Sequence, residues 1–78
     1  MPRADLLRLF ERTLRLPENS LTGREPLPAV PNWDSLATLN FIVMVDRKFG
    51  VPLKGSRVLA CKTVDDLLDL IENARRAA

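Results

Sequence analysis

The sequence predicts an all-α protein of four helices, the third of them short, around one core, with a long loop between the first two. Three observations carry that reading. Apolar residues recur at helical spacing near residues 3–16, 35–49 and 63–75. Prolines, glycines and capping residues mark where these segments start and stop. Finally, 78 residues with one cysteine make a single domain, 1–78, that no internal disulfide can staple and that depends on helix packing. A chain of this size buries only about 60–65% of its unfolded surface.

In the first segment, Leu6, Phe10 and Leu14 lie four apart and Leu7 and Leu14 share a face. Arg3, Arg8, Arg12 and Arg15 fall largely on the other side, where they alternate with Asp5 and Glu11 as a solvated face. Pro17 disfavours helix at the residue before it, so the first helix is expected over about 3–16. Residues 17–33 hold Pro17, Gly23, Pro26, Pro28 and Pro31 and read as a long loop, with Leu21, Leu27, Val30 and Trp33 as its anchors on the helices. Asp34 is placed to cap a second helix over 35–49, which Gly50 and Pro52 stop. Thr38, Phe41, Ile42, Val45 and Phe49 form its inward stripe; Leu36, Asn40, Val43 and Arg47 form an outward face that is only partly polar. One or two helical turns are expected over Ser56–Cys61. Thr63 and Asp66 then resemble a capping box opening a last helix to about Arg75, with Val64, Leu67, Leu68 and Ile71 inward and Arg75 and Arg76 at the negative end of its dipole.

Composition excludes several functions. The chain has no histidine and no tyrosine, so it lacks the commonest general base and metal ligand, and one cysteine does not make a zinc site. A self-contained enzyme of this length is not expected. Twelve basic against ten acidic residues leave +2, without the concentrated basic stripe of a nucleic-acid binder. No apolar run reaches the length of a membrane span, and Met1 to Asp5 lack the layout of a signal peptide. A cytoplasmic monomer, reduced at Cys61 and not inserted in membrane, is the expectation, with Cys61 a small core residue.

The segment Asn32-Trp33-Asp34-Ser35-Leu36 puts a serine in the first turn of the second helix. Asp34 is available as the cap, which leaves the Ser35 hydroxyl free, and a helix N-terminus favours phosphate. Here the chain resembles the acyl carrier protein family, in which Asp-Ser-Leu holds the serine that receives a phosphopantetheine arm. Landmarks over the rest of the chain keep register: Leu14 and Leu16 before the serine, then Phe49, Leu53-Lys54, Val58, Cys61, Thr63-Val64, Leu68 and Ile71 after it.

The resemblance implies a four-helix acyl carrier with 4'-phosphopantetheine attached at Ser35 and Asp34 in a supporting role. The arm would come from coenzyme A through a phosphopantetheinyl transferase that needs Mg²⁺, and its thiol would hold acyl groups as thioesters for acyl-loading and acyl-processing enzymes. Leu36, Asn40, Val43, Met44 and Arg47 would meet those partners. The chain departs from the family where carboxylates usually stand on the exposed helix: it has Ala37, Asn40, Arg47 and Lys48, and keeps Asp46. That implies a specialised lipid, polyketide-like or aminoacyl pathway with dedicated partners. The glycine-glycine-x-serine pattern of peptidyl carriers is missing. The alternative is an interaction module with the same fold and an unmodified serine.

Overall fold

A computed structural model describes residues 3–77. They form α1 (Arg3–Thr13), α2 (Ser35–Phe49), α3 (Gly55–Ala60) and α4 (Val64–Ala77), with one 3-10 turn, Leu27–Ala29, inside the long loop. The all-α expectation holds, and the third helix is the short one. None of the helices is long and apolar enough to cross a membrane.

The first helix stops three residues before the expected end, at Thr13. Arg15 adopts φ 59°, the left-handed region. Its amide bonds the Arg12 carbonyl at 3.0 Å and the Leu16 amide bonds the Glu11 carbonyl at 2.9 Å. That pair of bonds is a Schellman closure, normally made by glycine. An arginine there costs about 1–2 kcal/mol. In exchange the turn keeps Leu14 in the core and packs Leu16 against it.

The arginine-rich side of α1 is not simply solvated. Arg3 reaches across to α4, 2.8 Å from Asp69 and 3.3 Å from both Asp65 and Glu72. Glu11 is 1% exposed. Its Oε2 accepts the Leu21 amide at 2.8 Å, its Oε1 accepts the Asn19 amide at 3.1 Å, and Arg8 Nε lies 2.9 Å away. One buried carboxylate thus pins the start of the long loop to α1, and its charge is matched by an arginine and by amides.

The rest of that loop is stitched to the start of α4. The Leu27 amide bonds the Lys62 carbonyl at 2.8 Å, and the Val64 amide bonds the Glu25 carbonyl at 3.1 Å, a single antiparallel bridge at Pro26 and Thr63. Leu21, Leu27 and Val30 are buried, as expected of anchors. The radius of gyration is 11.3 Å, near the value of about 11.5 Å for a compact chain of this length; a loop hanging free would raise it.

Helices α2 and α4 begin and end as their local signals demand. Gly50 takes φ 67° and its amide bonds the Asp46 carbonyl, closing α2. The capping box of α4 is complete: the Asp66 amide bonds Thr63 Oγ1 at 3.2 Å while Asp66 Oδ2 accepts the Thr63 amide at 3.1 Å. It also accepts the Lys62 amide at 3.0 Å. Helix α3 starts one residue earlier than expected and α4 runs two residues beyond Arg75. Phe10, Phe41, Val45, Val58, Leu67 and Leu68 lie at the centre of the one core.

Candidate functional site

The backbone entering α2 is held at three successive residues. Asn32 sits at φ 67°, and its Nδ2 donates to the Leu14 carbonyl at 2.9 Å, tying the loop to the closing turn of α1. Asparagine is the non-glycine residue that tolerates this conformation best. Trp33 then sends its ring into an aromatic cluster, 5.5 Å from Phe10 and 5.9 Å from Phe41, with Phe10 and Phe41 edge to face. Each such pair contributes about 0.5–1.5 kcal/mol beyond its buried area. Trp33 is the loop anchor that its position before the helix implied.

Asp34 completes the entry in an extended conformation. Its Oδ1 accepts the Ala37 amide at 2.8 Å, and its carbonyl accepts the Thr38 amide at 2.9 Å and Thr38 Oγ1 at 2.8 Å. The cap role therefore falls to Asp34. Ser35 follows as the first helical residue and is exposed. The amides of Ser35 and Leu36 have no acceptor within the helix, since no carbonyl lies a turn earlier. An anion joined to the Ser35 oxygen would meet those amides and the positive end of the α2 dipole.

The other two serines are placed differently. Ser20 donates its hydroxyl to the Pro17 carbonyl at 2.6 Å. Ser56 lies in the six-residue α3. Ser35 alone combines exposure, a rigid entry and the start of a long helix.

Grooves flank this helix start on both sides. One of about 200 Å³ lies toward α3, lined by Trp33, Thr38, Val58, Leu59 and Cys61 with Leu27 and Pro28. Another of about 280 Å³ lies toward the end of α1, where Arg15, Asn32, Asp34, Leu36 and Asn40 meet.

Of the outward residues named from sequence, Leu36, Asn40, Val43 and Arg47 are exposed on one side of α2. Met44 differs: it is half-buried and packs against the core, so it has less to offer a partner. Two exposed leucines were missed. Leu39, 58% exposed, lies four residues after Ser35 and four before Val43, so the helical period alone places it on the same face. Leu59, 77% exposed, is on α3. It follows buried Val58 in a helix too short for periodicity to separate its faces.

Cys61 is not set up as a nucleophile here. Burial, reinforced by Asp66 and Asp69, pushes the Cys61 thiol above its ordinary range, and Sγ donates to the Arg57 carbonyl at 3.4 Å. Such a thiol is a poor nucleophile. Among the described residues, no group of three or more histidines, cysteines and acids is placed to hold a metal ion. Phe49 is half-buried with Arg75 5.0 Å above its ring.

Comparison with known proteins bears on the same helix start. The family model described as phosphopantetheine attachment site matches residues 4–71. The chain is similar to the solution NMR structure of a holo acyl carrier protein from Geobacter metallireducens: TM-score 0.80, 26% identity, over 99% of this chain and 90% of that one. No curated protein matches it.

Proposed function

The chain belongs to the phosphopantetheine attachment site family, and from that premise we propose that Ser35 is the attachment residue and that the carrier serves a specialised pathway. As a member of that family it is a carrier and not an enzyme, with covalent 4'-phosphopantetheine as its cofactor. The observation that carries the assignment to Ser35 is its exposed position at the start of α2, after a backbone fixed by Asn32, Trp33 and Asp34.

The residues present fit the group. Ser35 supplies the oxygen for the phosphodiester, and the amides of Ser35 and Leu36 face that charge at the helix start. Asp34 supports the site by capping, which keeps its own carboxylate on the Ala37 amide. The groove lined by Trp33, Thr38 and Leu59 offers the arm an apolar wall. When bound, the group supplies a thiol that holds acyl cargo as a thioester. Everything else the chain does is presentation: a rigid α2 start, and Leu36, Asn40, Val43 and Arg47 beside it for partners.

Those partners are a phosphopantetheinyl transferase and acyl-processing enzymes, as for carriers generally. The specialised pathway, a modified lipid, a polyketide-like product or an aminoacyl group, is supported by the exposed face of α2. It carries Asn40, Arg47 and Lys48 and the single carboxylate Asp46. Steering by charge depends on sign, so partners built to read an acidic helix dock poorly here.

The test is incubation with coenzyme A, Mg²⁺ and a broad-specificity transferase, followed by intact-protein mass. The expected result is a gain of one phosphopantetheine. No gain with several transferases, on protein shown to be folded, would leave an interaction module that kept the fold without the chemistry.

A further inference from the structure

The four exposed large hydrophobics among the described residues are Leu36, Leu39, Val43 and Leu59. Three lie on α2 with Ser35 and one on α3, across the groove that Leu59 shares with Thr38 and Trp33. Apolar residues gathered on one side of a small protein mark an interaction surface.

The charges available to a partner are lopsided in a way the formal +2 hides. Of the 12 lysines and arginines, only Arg3 and Arg8 lie within 4.0 Å of a carboxylate among the described residues. The acids are mostly engaged. Glu11, Asp65, Asp69 and Glu72 face those two arginines, and Glu25, Asp34 and Asp66 accept backbone amides. On the outward side of α2, Asp46 is left as the one carboxylate without such a partner. Arg47 continues the Leu36, Asn40, Val43 row, and Arg15 lines the groove beside Leu36, Asn40 and Asp34, whose carboxylate is held on the Ala37 amide.

We propose that the exposed side of α2 with Leu59 docks on a partner protein whose apolar pocket is rimmed by carboxylates, which meet Arg15 and Arg47. The inference rests on the carrier reading above and names the partner's surface chemistry. A protein pocket fits better than an anionic bilayer. Helix α2 commits its most apolar side, with Phe41 and Val45, to the core. What remains is a narrow arc interrupted by Asn40 and Asp46, whereas a helix lying in lipid needs a broad continuous apolar face. Charges at the rim of such a contact chiefly set encounter rate and partner choice.

The experiment uses unmodified Ser35→Ala protein, so its outcome does not depend on the arm. Two amphipathic helical peptides share one leucine face; one carries glutamates at the rim and the other lysines. Amide shifts in ¹⁵N-labelled protein report where each binds. The glutamate peptide is expected to move Leu36, Leu39, Val43 and Leu59 and to bind about ten-fold more tightly, as two rim pairs, attractive for one peptide and repulsive for the other, allow. That preference shrinks at about 0.5 M salt, where screening is strong. Arg15→Gln with Arg47→Gln abolishes the preference, and Arg15→Glu with Arg47→Glu reverses it; thermal melts check that both variants fold. Equal binding of the two peptides, shifts confined to α1 or α4, or a preference untouched by the variants overturns the proposal. So does co-sedimentation with phosphatidylserine vesicles without binding of the glutamate peptide. If the glutamate peptide binds as expected but Ser35 in the parent accepts no arm, the surface stands and the carrier reading fails.

Discussion

Replacing Glu11 by alanine removes the carboxylate that accepts the Asn19 and Leu21 amides and faces Arg8. Breaking a buried ion pair by deleting one partner costs about 3–5 kcal/mol. The Arg8 side chain keeps 20% of its surface exposed and can rehydrate, which places the expectation at the lower end, about 3 kcal/mol. A chain of this length has a total stability of about 4–12 kcal/mol, so the variant is expected to be marginal. In urea, with a slope of about 1 kcal/mol/M, the midpoint should fall by about 3 M. Glu11→Gln keeps the shape and one carbonyl acceptor but turns an amino group toward a donor, and should lose about half as much. Hydrogen exchange adds a local readout, because the Asn19 and Leu21 amides should lose protection first. A midpoint shift below about 0.5 M for Glu11→Ala, with those amides still protected, would refute the idea that this carboxylate holds the loop leading to Ser35.

Other consequences follow from the caps and turns. Burial pulls the Glu25 carboxyl up, but the amides of Thr22 and Gly23 and the Thr22 hydroxyl outweigh it and hold it below its ordinary 4.5; the Lys62 and Thr63 amides hold Asp66 below 3.8. The folded chain then binds fewer protons than the unfolded one, so the stability from both groups is complete above about pH 4.5 and is lost as pH falls through the lowered values. Melts from pH 7 to 3 should show that decline, and Glu25→Gln with Asp66→Asn should flatten it. Asp34→Asn keeps a capping oxygen and should leave the melting temperature nearly unchanged, whereas Asp34→Ala should cost about 1 kcal/mol by urea titration. If the asparagine variant accepts the arm as fast as the parent, the supporting role of Asp34 is structural only. Gly50→Ala meets no neighbouring atom and should lose only the left-handed backbone term, about 1 kcal/mol. Gly23→Ala should lose clearly more, because at φ 102° its new methyl also collides with the Asp65 carboxylate that Arg3 holds.

The parts of this fold legible in the sequence are those with local causes. Asp34 before Ser35 and Gly50 after Phe49 bound α2 through side-chain and backbone rules that act within a turn. Thr63 and Asp66 do the same for α4. The end of α1 was not legible because an arginine occupies the left-handed position, and residue type gives no warning of that. Glu11 looks like a surface charge in the sequence because its partners are the amides of Asn19 and Leu21, eight and ten residues on, which only the folded loop brings near. In the site, Ser35 stood out by its place behind a capping aspartate, together with the family resemblance. On the outward face, Leu36, Asn40, Val43 and Arg47 are exposed as the helical period requires, whereas Met44, which only the family resemblance offers to partners, is half-buried against the core. Leu59 depended on how a six-residue helix sits.

The central claim is that the arm belongs on Ser35 and on neither Ser20 nor Ser56. Peptide mass mapping after treatment with coenzyme A, Mg²⁺ and transferase tests it most directly, on the parent, Ser35→Ala and Ser56→Ala. The account predicts phosphopantetheine on the peptide containing Ser35 in the parent and in Ser56→Ala, and none anywhere in Ser35→Ala. An arm found on Ser56 or Ser20, or retained when Ser35 is replaced, would contradict it.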